Sequence, residues 1–113
     1  MLKNIYKRIL QKLNLSHEQL LELKGRLKSG SISIGPFMTG SKMCPNTNAL
    51  AIKLNRDRFS SNGEVRKLLN GFGISNPELW MFYLLFDLPA LFSKNMKDKN
   101  LRVLQSAIDE MIL

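Results

Sequence analysis

Leu2, Ile5, Tyr6, Ile9, Leu10 and Leu13 recur at intervals of three and four residues. That spacing gathers them on one face of an α-helix and on neither face of a strand. A stripe of this kind holds its shape by burial against other elements, so the first turns of the chain already call for a helical core. The pattern continues. Ser16 and Gln19 have capping-box spacing, and Leu20, Leu23 and Leu27 carry an apolar face on to a stop at Ser29-Gly30. Gly25 weakens this second helix by about 1 kcal/mol relative to alanine and suits a close helix crossing.

Further along, Asn46 or Thr47 is placed to cap a helix through Leu50, Ala51 and Leu54, and Asn55 to Ser61 reads as a polar turn. Ser61 and Glu64 repeat the capping-box spacing ahead of Val65, Leu68 and Leu69, with an end near Gly71 or Gly73. Ser75-Asn76-Pro77-Glu78 combines an N-cap, a first-turn proline and a glutamate at N3. The helix it opens, Leu79 to Phe86, is apolar all round, and such a helix is either central and covered or lends surface to a partner. Asp87 is placed to cap a short turn through Pro89 and Phe92. Leu101, Leu104, Ile108, Met111 and Ile112 then stripe a last helix, with Asp98 near its positive end. The fold class expected is therefore all-α: a compact single domain over 1–113, built from five or six short helices.

Residues 29–46 form the one long loop. They hold three glycines and two prolines, yet Ile32, Ile34, Phe37, Met38 and Met43 are too apolar for a solvated linker, so the loop should be ordered and packed on the core. Loops of this length inside a small domain tend to carry function. The alternation over 31–34 supplies a minority alternative, a short strand pairing with 49–54 that would make the fold α+β.

Composition narrows the setting. With 44% hydrophobic and 23% charged residues in 113, the chain matches folded globular domains rather than disordered ones. A single cysteine, Cys44, allows no internal disulfide, which suits the reducing cytoplasm. Lys3, Lys7, Arg8 and Lys12 interrupt the N-terminus every few residues, so it lacks the apolar core of a secretory signal and only weakly resembles a transit peptide. The longest apolar run, Leu79 to Phe86, is far shorter than the ~20 residues of a membrane span.

Net charge is +8, and it is uneven: residues 1–28 carry +5, residues 29–70 carry +4 and residues 71–113 carry −1. This field favours an anionic partner, nucleic acid or an acidic protein surface, and otherwise serves solubility. Two features point to nucleic acid. Lys3, Lys7, Arg8 and Lys12 form a basic face opposite the first apolar stripe, suited to lying along phosphates. Residues 47–70 loosely resemble a helix-turn-helix, with Arg56 and Arg58 between the helices and Arg66 and Lys67 on the second, although the intervening segment is longer than the usual tight turn. The alternative is a protein-interaction module. It would use Trp80, Phe82, Tyr83 and Phe86 of the aromatic helix together with Phe37, Met38 and Met43 of the loop, and homo-oligomer formation is one way to cover that surface. Membrane-surface binding is weaker, with Tyr6 the first helix's only aromatic residue and Leu2 in place of a myristoylated glycine.

Catalytic chemistry finds little to work with. Gly35 to Lys42 echoes a phosphate-binding loop, but the lysine follows the serine and no helix comes directly after it. Cys44 stands before a helix start and near Lys42, a setting that lowers a thiol pKa, yet no motif links it to the only histidine, His17. One cysteine and one histidine do not furnish a structural zinc site. Asp57 with Glu64, and Asp109 with Glu110, read as solvated helix faces rather than acid–base pairs. No catalytic residue, cofactor or metal is assigned.

Overall fold

The computed structural model describes residues 1–112. Helix α1 spans Leu2–Leu13 and buries Leu2, Tyr6, Ile9, Leu10 and Leu13. It stops at Asn14, whose φ of 54° places it in the left-handed region that asparagine tolerates better than most residues. Helix α2, His17–Ser29, has the full capping box: Gln19 N–H donates to Ser16 Oγ at 3.1 Å, and Ser16 N–H to Gln19 Oε1 at 2.8 Å. Gly25 faces open space, so it marks no helix crossing.

The loop is ordered, and its strand content lies elsewhere than expected. Strands β1 (Met38–Thr39) and β2 (Lys42–Met43) pair antiparallel in the register Met38↔Met43 and Thr39↔Lys42, around a turn with Gly40 at φ 61°. Of 31–34, only Ile32 makes a strand contact, a single parallel bridge to Met43. Residues 49–54 are helical, which overturns the strand alternative for them. The segment resembling a phosphate-binding loop is this hairpin.

Helix α3 spans Pro45–Leu54, and Cys44, rather than Asn46 or Thr47, is its cap: Thr47 N–H donates to Cys44 Sγ at 3.4 Å. Pro45 begins the helix at a position where its missing N–H costs nothing. Every residue from Pro45 to Ile52 is buried, so α3, not 79–86, is the central helix. Its buried amide Asn48 is satisfied by donating to the Met43 and Cys44 carbonyls at 2.9 and 3.1 Å. Helix α4, Asn62–Gly71, is capped by Ser61, while the carboxylate of Glu64 accepts from Ser60 N–H at 2.8 Å rather than from Ser61.

Residues 76–92 form one continuous helical stretch: α5 (Asn76–Phe82), a π-helical turn (Tyr83–Asp87) and α6 (Leu88–Phe92). The Ser75/Glu78 capping box opens it. Pro89 accounts for the widened turn. Proline has no N–H for the carbonyl four residues back and its ring crowds that oxygen. Here Leu88 N–H reaches five residues back to the Tyr83 carbonyl. Asn100 Nδ2 supplies the missing donor to the Leu85 carbonyl at 3.2 Å and also donates to the Phe86 carbonyl at 3.4 Å. Asp87 therefore caps nothing. Its backbone is helical and its side chain is buried.

Helix α7, Lys94–Ile112, begins earlier than its apolar stripe implies, with Met96 N–H donating to Ser93 Oγ at 3.3 Å; Asp98 lies in its second turn. It packs along α1, α2 and α6. With 76–92 counted as one, the described residues form six helices and a minor two-stranded element, and one buried cluster draws on each of those six. Among the described residues no helix is long and apolar enough to cross a membrane.

Candidate functional site

Two surface features stand out, and they meet at Trp80. The first is an apolar stripe. Seven large hydrophobic side chains are exposed among the described residues, and five of them, Trp80, Met81, Leu84, Leu91 and Phe92, lie on the stretch 76–92. With the extra residue of the π turn absorbed, Trp80, Leu84, half-buried Leu88 and Phe92 follow one side of the stretch, and Met81 and Leu91 flank it. Trp80 is 61% exposed and Phe92 83%. The stretch 79–86 divides between the two expectations for it, covered or lending surface: Phe82 and Phe86 enter the core, where Phe82 stacks on Phe86 at 5.2 Å and meets Tyr6 at 5.6 Å, while the opposite side faces out.

The second feature is a pocket of about 480 Å³ where the long loop meets this helix. Gly35, Pro36, Phe37 and Cys44 form one wall, Leu79, Trp80, Phe82 and Tyr83 another, and Asn46, Asn62, Arg66, Asn76 and Asp87 supply its polar lining. The indole of Trp80 stacks on the Tyr83 ring at 5.2 Å and 15°. Asn62 ties the loop to α4 by accepting from Met38 N–H at 3.0 Å, and Cys44 N–H closes the loop on the Phe37 carbonyl at 2.8 Å.

Four side chains define the pocket's electrostatics. Asn46 is 2% exposed and Asp87 4%, and each has a buried side-chain oxygen without a hydrogen-bond partner. Burial pushes the Asp87 carboxyl up to about 7, against the opposing effect of a hydrogen bond from the Gly35 backbone. Burial likewise pushes the Cys44 thiol up to about 11, partly offset by its hydrogen bonds with Thr47. The helix start therefore does not activate this cysteine, and His17 lies exposed at the start of α2. Arg66, by contrast, is exposed.

The basic candidates divide. Lys3 and Lys7 both grip Glu110, at 2.7 and 2.8 Å, and hold its carboxyl down to about 2. Lys12 pairs with Glu78 at 2.6 Å and donates to the Gly73 carbonyl at 2.9 Å, holding the Glu78 carboxyl below the usual range. Arg56 pairs with Glu64 at 3.3 Å and lies 4.5 Å over the Phe59 ring. Arg8, Arg58, Arg66 and Lys67 are exposed, and none of them takes part in the ion pairs formed among the described residues. Met38 and Met43 line a second recess of similar volume, about 480 Å³, with Asp57, Arg58 and Phe59.

The pocket thus gathers Phe37, Trp80, Phe82 and Tyr83 from the interaction candidates and Arg66 from the basic ones. It adds Asn46, Asn62, Asn76 and Asp87, which sequence reasoning passed over. Asp87, a lone acid inside an apolar run, was the available signal. Comparison of the chain with protein-family models, curated proteins and solved structures finds no match.

Proposed function

We propose that this chain is a single small binding domain that docks a protein partner on the apolar stripe Trp80, Met81, Leu84, Leu91 and Phe92. One observation carries the reading: five of the seven exposed large hydrophobics fall on one helical stretch. Scattered apolar residues are ordinary on a protein surface, whereas a contiguous patch marks an interaction site. Solvent exposure of an indole and a phenyl ring adds weight, because aromatic side chains dominate the energetics of interfaces. Photo-crosslinking tests it. A photoreactive residue at position 92 should trap a discrete protein adduct in cells, and the same residue at exposed Glu18 on α2 should not. Equal labelling from both positions, or none at 92, rejects the stripe as the docking face.

A second reading, nucleic acid, is favoured by a separate observation: Arg58 on the loop before α4 and Arg66 and Lys67 on α4 form no ion pair among the described residues, whereas Lys3, Lys7 and Lys12 are committed to carboxylates. The α4 side is therefore better placed than α1 to meet phosphates. Binding through it should fall steeply with salt, as displaced counterions return to the phosphates. Glutamine at Arg58, Arg66 and Lys67 together should abolish it. Affinity for mixed oligonucleotides that is unchanged by the triple substitution removes this face from consideration.

A further inference from the structure

We infer the chemistry of the docking partner, a step that rests on the stripe being the docking face: it is an acidic amphipathic helix that seats one bulky apolar side chain in the pocket beside Trp80 and follows the stripe to Phe92. Trp80 and Phe92 are separated by a helical rise of about 17 Å. The stripe is thus a ridge roughly three turns long, which a helix matches with apolar residues at i, i+3 or i+4, and i+7. An extended peptide would gain its affinity by pairing with a sheet edge, and a helix surface offers none. The pocket, about 480 Å³, is walled by Phe37, Leu79, Trp80, Phe82 and Tyr83, and Trp80 belongs to both pocket and stripe. Interfaces concentrate their energy on a few bulky side chains seated in such pockets.

Charge sets the sign of the partner, because cations bracket the ridge. At the Trp80 end, Arg66 is exposed and lines the same pocket. At the other end, exposed Lys94 follows Phe92 by two residues, so their Cα atoms lie within about 7.6 Å. Lys97 is its neighbour on the first turn of α7. Arg66, Lys94 and Lys97 form no ion pair among the described residues, and Asp98 beside them is offset by Lys99. Folding does not account for the two lysines: they stand in a first turn that holds no acid, where the helix dipole disfavours cations. The stretch 76–92 has two acids of its own, and both are withdrawn, Glu78 to Lys12 at 2.6 Å and Asp87 into the interior. A second copy of this chain fits badly. A two-fold axis through the stripe brings the Arg66 end against an identical end or against the Lys94 end, cations on cations either way. A nucleic acid meets the cations but not Met81, Leu84 and Leu91, and an anionic bilayer has no side chain for the pocket.

Trp80 is the chain's only tryptophan and lies where pocket and stripe meet, so its emission reports binding without labelling. The probe is a tryptophan-free synthetic helix with one phenylalanine and several leucines along one face and glutamates flanking them. Titrated into the whole protein at physiological salt, it should shift the emission saturably. Its affinity should exceed that of the same peptide with lysines for glutamates by about tenfold or more, since like charges set face to face repel. Alanine in place of the peptide's phenylalanine should weaken binding about tenfold. Arg66→Glu together with Lys94→Glu, both at exposed positions, should invert the preference between the two peptides while the circular dichroism stays the same. Equal affinity for both peptides, no saturable shift with either up to millimolar concentration, or an unchanged preference in the charge-reversed protein overturns the proposal. So does sedimentation with phosphatidylserine vesicles in the absence of peptide binding, which assigns the face to a membrane. Crosslinking at position 92 separates the two readings: an adduct there without acidic-peptide binding keeps the docking face and rejects the acidic helix, whereas no adduct rejects both.

Discussion

Asp87 costs the fold something at neutral pH, and the sign of that cost can be worked out. An aspartate ordinarily titrates near 3.9, and burial moves this one up to about 7, so the folded state prefers the protonated form. The stability it contributes is fully present below the ordinary aspartate pKa and is lost as pH rises through about 7. Asp87→Asn should therefore match the wild type near pH 4 and exceed it at pH 8, by up to about 4 kcal/mol at 1.36 kcal/mol per pKa unit; urea unfolding at the two pH values measures the difference. Cys44, which lines the same pocket, stays protonated over that interval because burial holds it high. Cys44 itself should resist iodoacetamide in the native protein at pH 7.5 and react on unfolding, since the thiolate is the nucleophile. Cys44→Ser preserves a cap for α3, whereas Cys44→Ala should cost about 1 kcal/mol by calorimetry.

Among the elements, those with local chemistry were legible in the residues alone. The α1 stripe, the α2 capping box and the Ser75/Glu78 box all form where their spacing places them, because the partners sit within one or two turns of each other. Boundaries that depend on distant groups were not legible. Nothing near Pro89 announces that Asn100, on another helix, will donate to the Leu85 carbonyl that the proline leaves without a donor and to the Phe86 carbonyl beside it. Asn100→Leu should accordingly destabilise the protein by about 1–3 kcal/mol, the cost of orphaning buried acceptors, and thermal denaturation will show it. The centrality of α3 was hidden for a related reason: Asn46, Thr47 and Asn48 look like surface residues until the loop that covers them is in place. Likewise, the apolar run at 79–86 reveals how much surface must be covered but not which side the other helices reach.

Across the whole molecule, the charge asymmetry of the sequence is real but partly spent. The three lysines of α1 meet acidic groups of the C-terminal half, Lys3 and Lys7 at Glu110 and Lys12 at Glu78. The candidate site was therefore only half legible: its aromatic residues and Arg66 were named, but what selects among equivalent lysines is tertiary pairing. Glu110→Gln should release Lys3 and Lys7 and raise salt-sensitive binding to heparin on an ion-exchange gradient, with less than about 1 kcal/mol change in stability because exposed pairs contribute little. The π turn carries a further consequence for how this chain tolerates change. It amounts to one residue more than an ordinary helical turn would need, and removing one residue from 84–86 would let the helix close regularly. Because the wide turn absorbs its extra residue locally, everything beyond such a cut would keep nearly its present orientation, with Pro89 still opposite Asn100. The same single deletion inside the regular helix α7 would rotate all that follows by roughly 100°, one residue's share of a 3.6-residue turn. The π turn is thus a place where this chain can lose a residue and keep its downstream packing, which a regular helix does not offer.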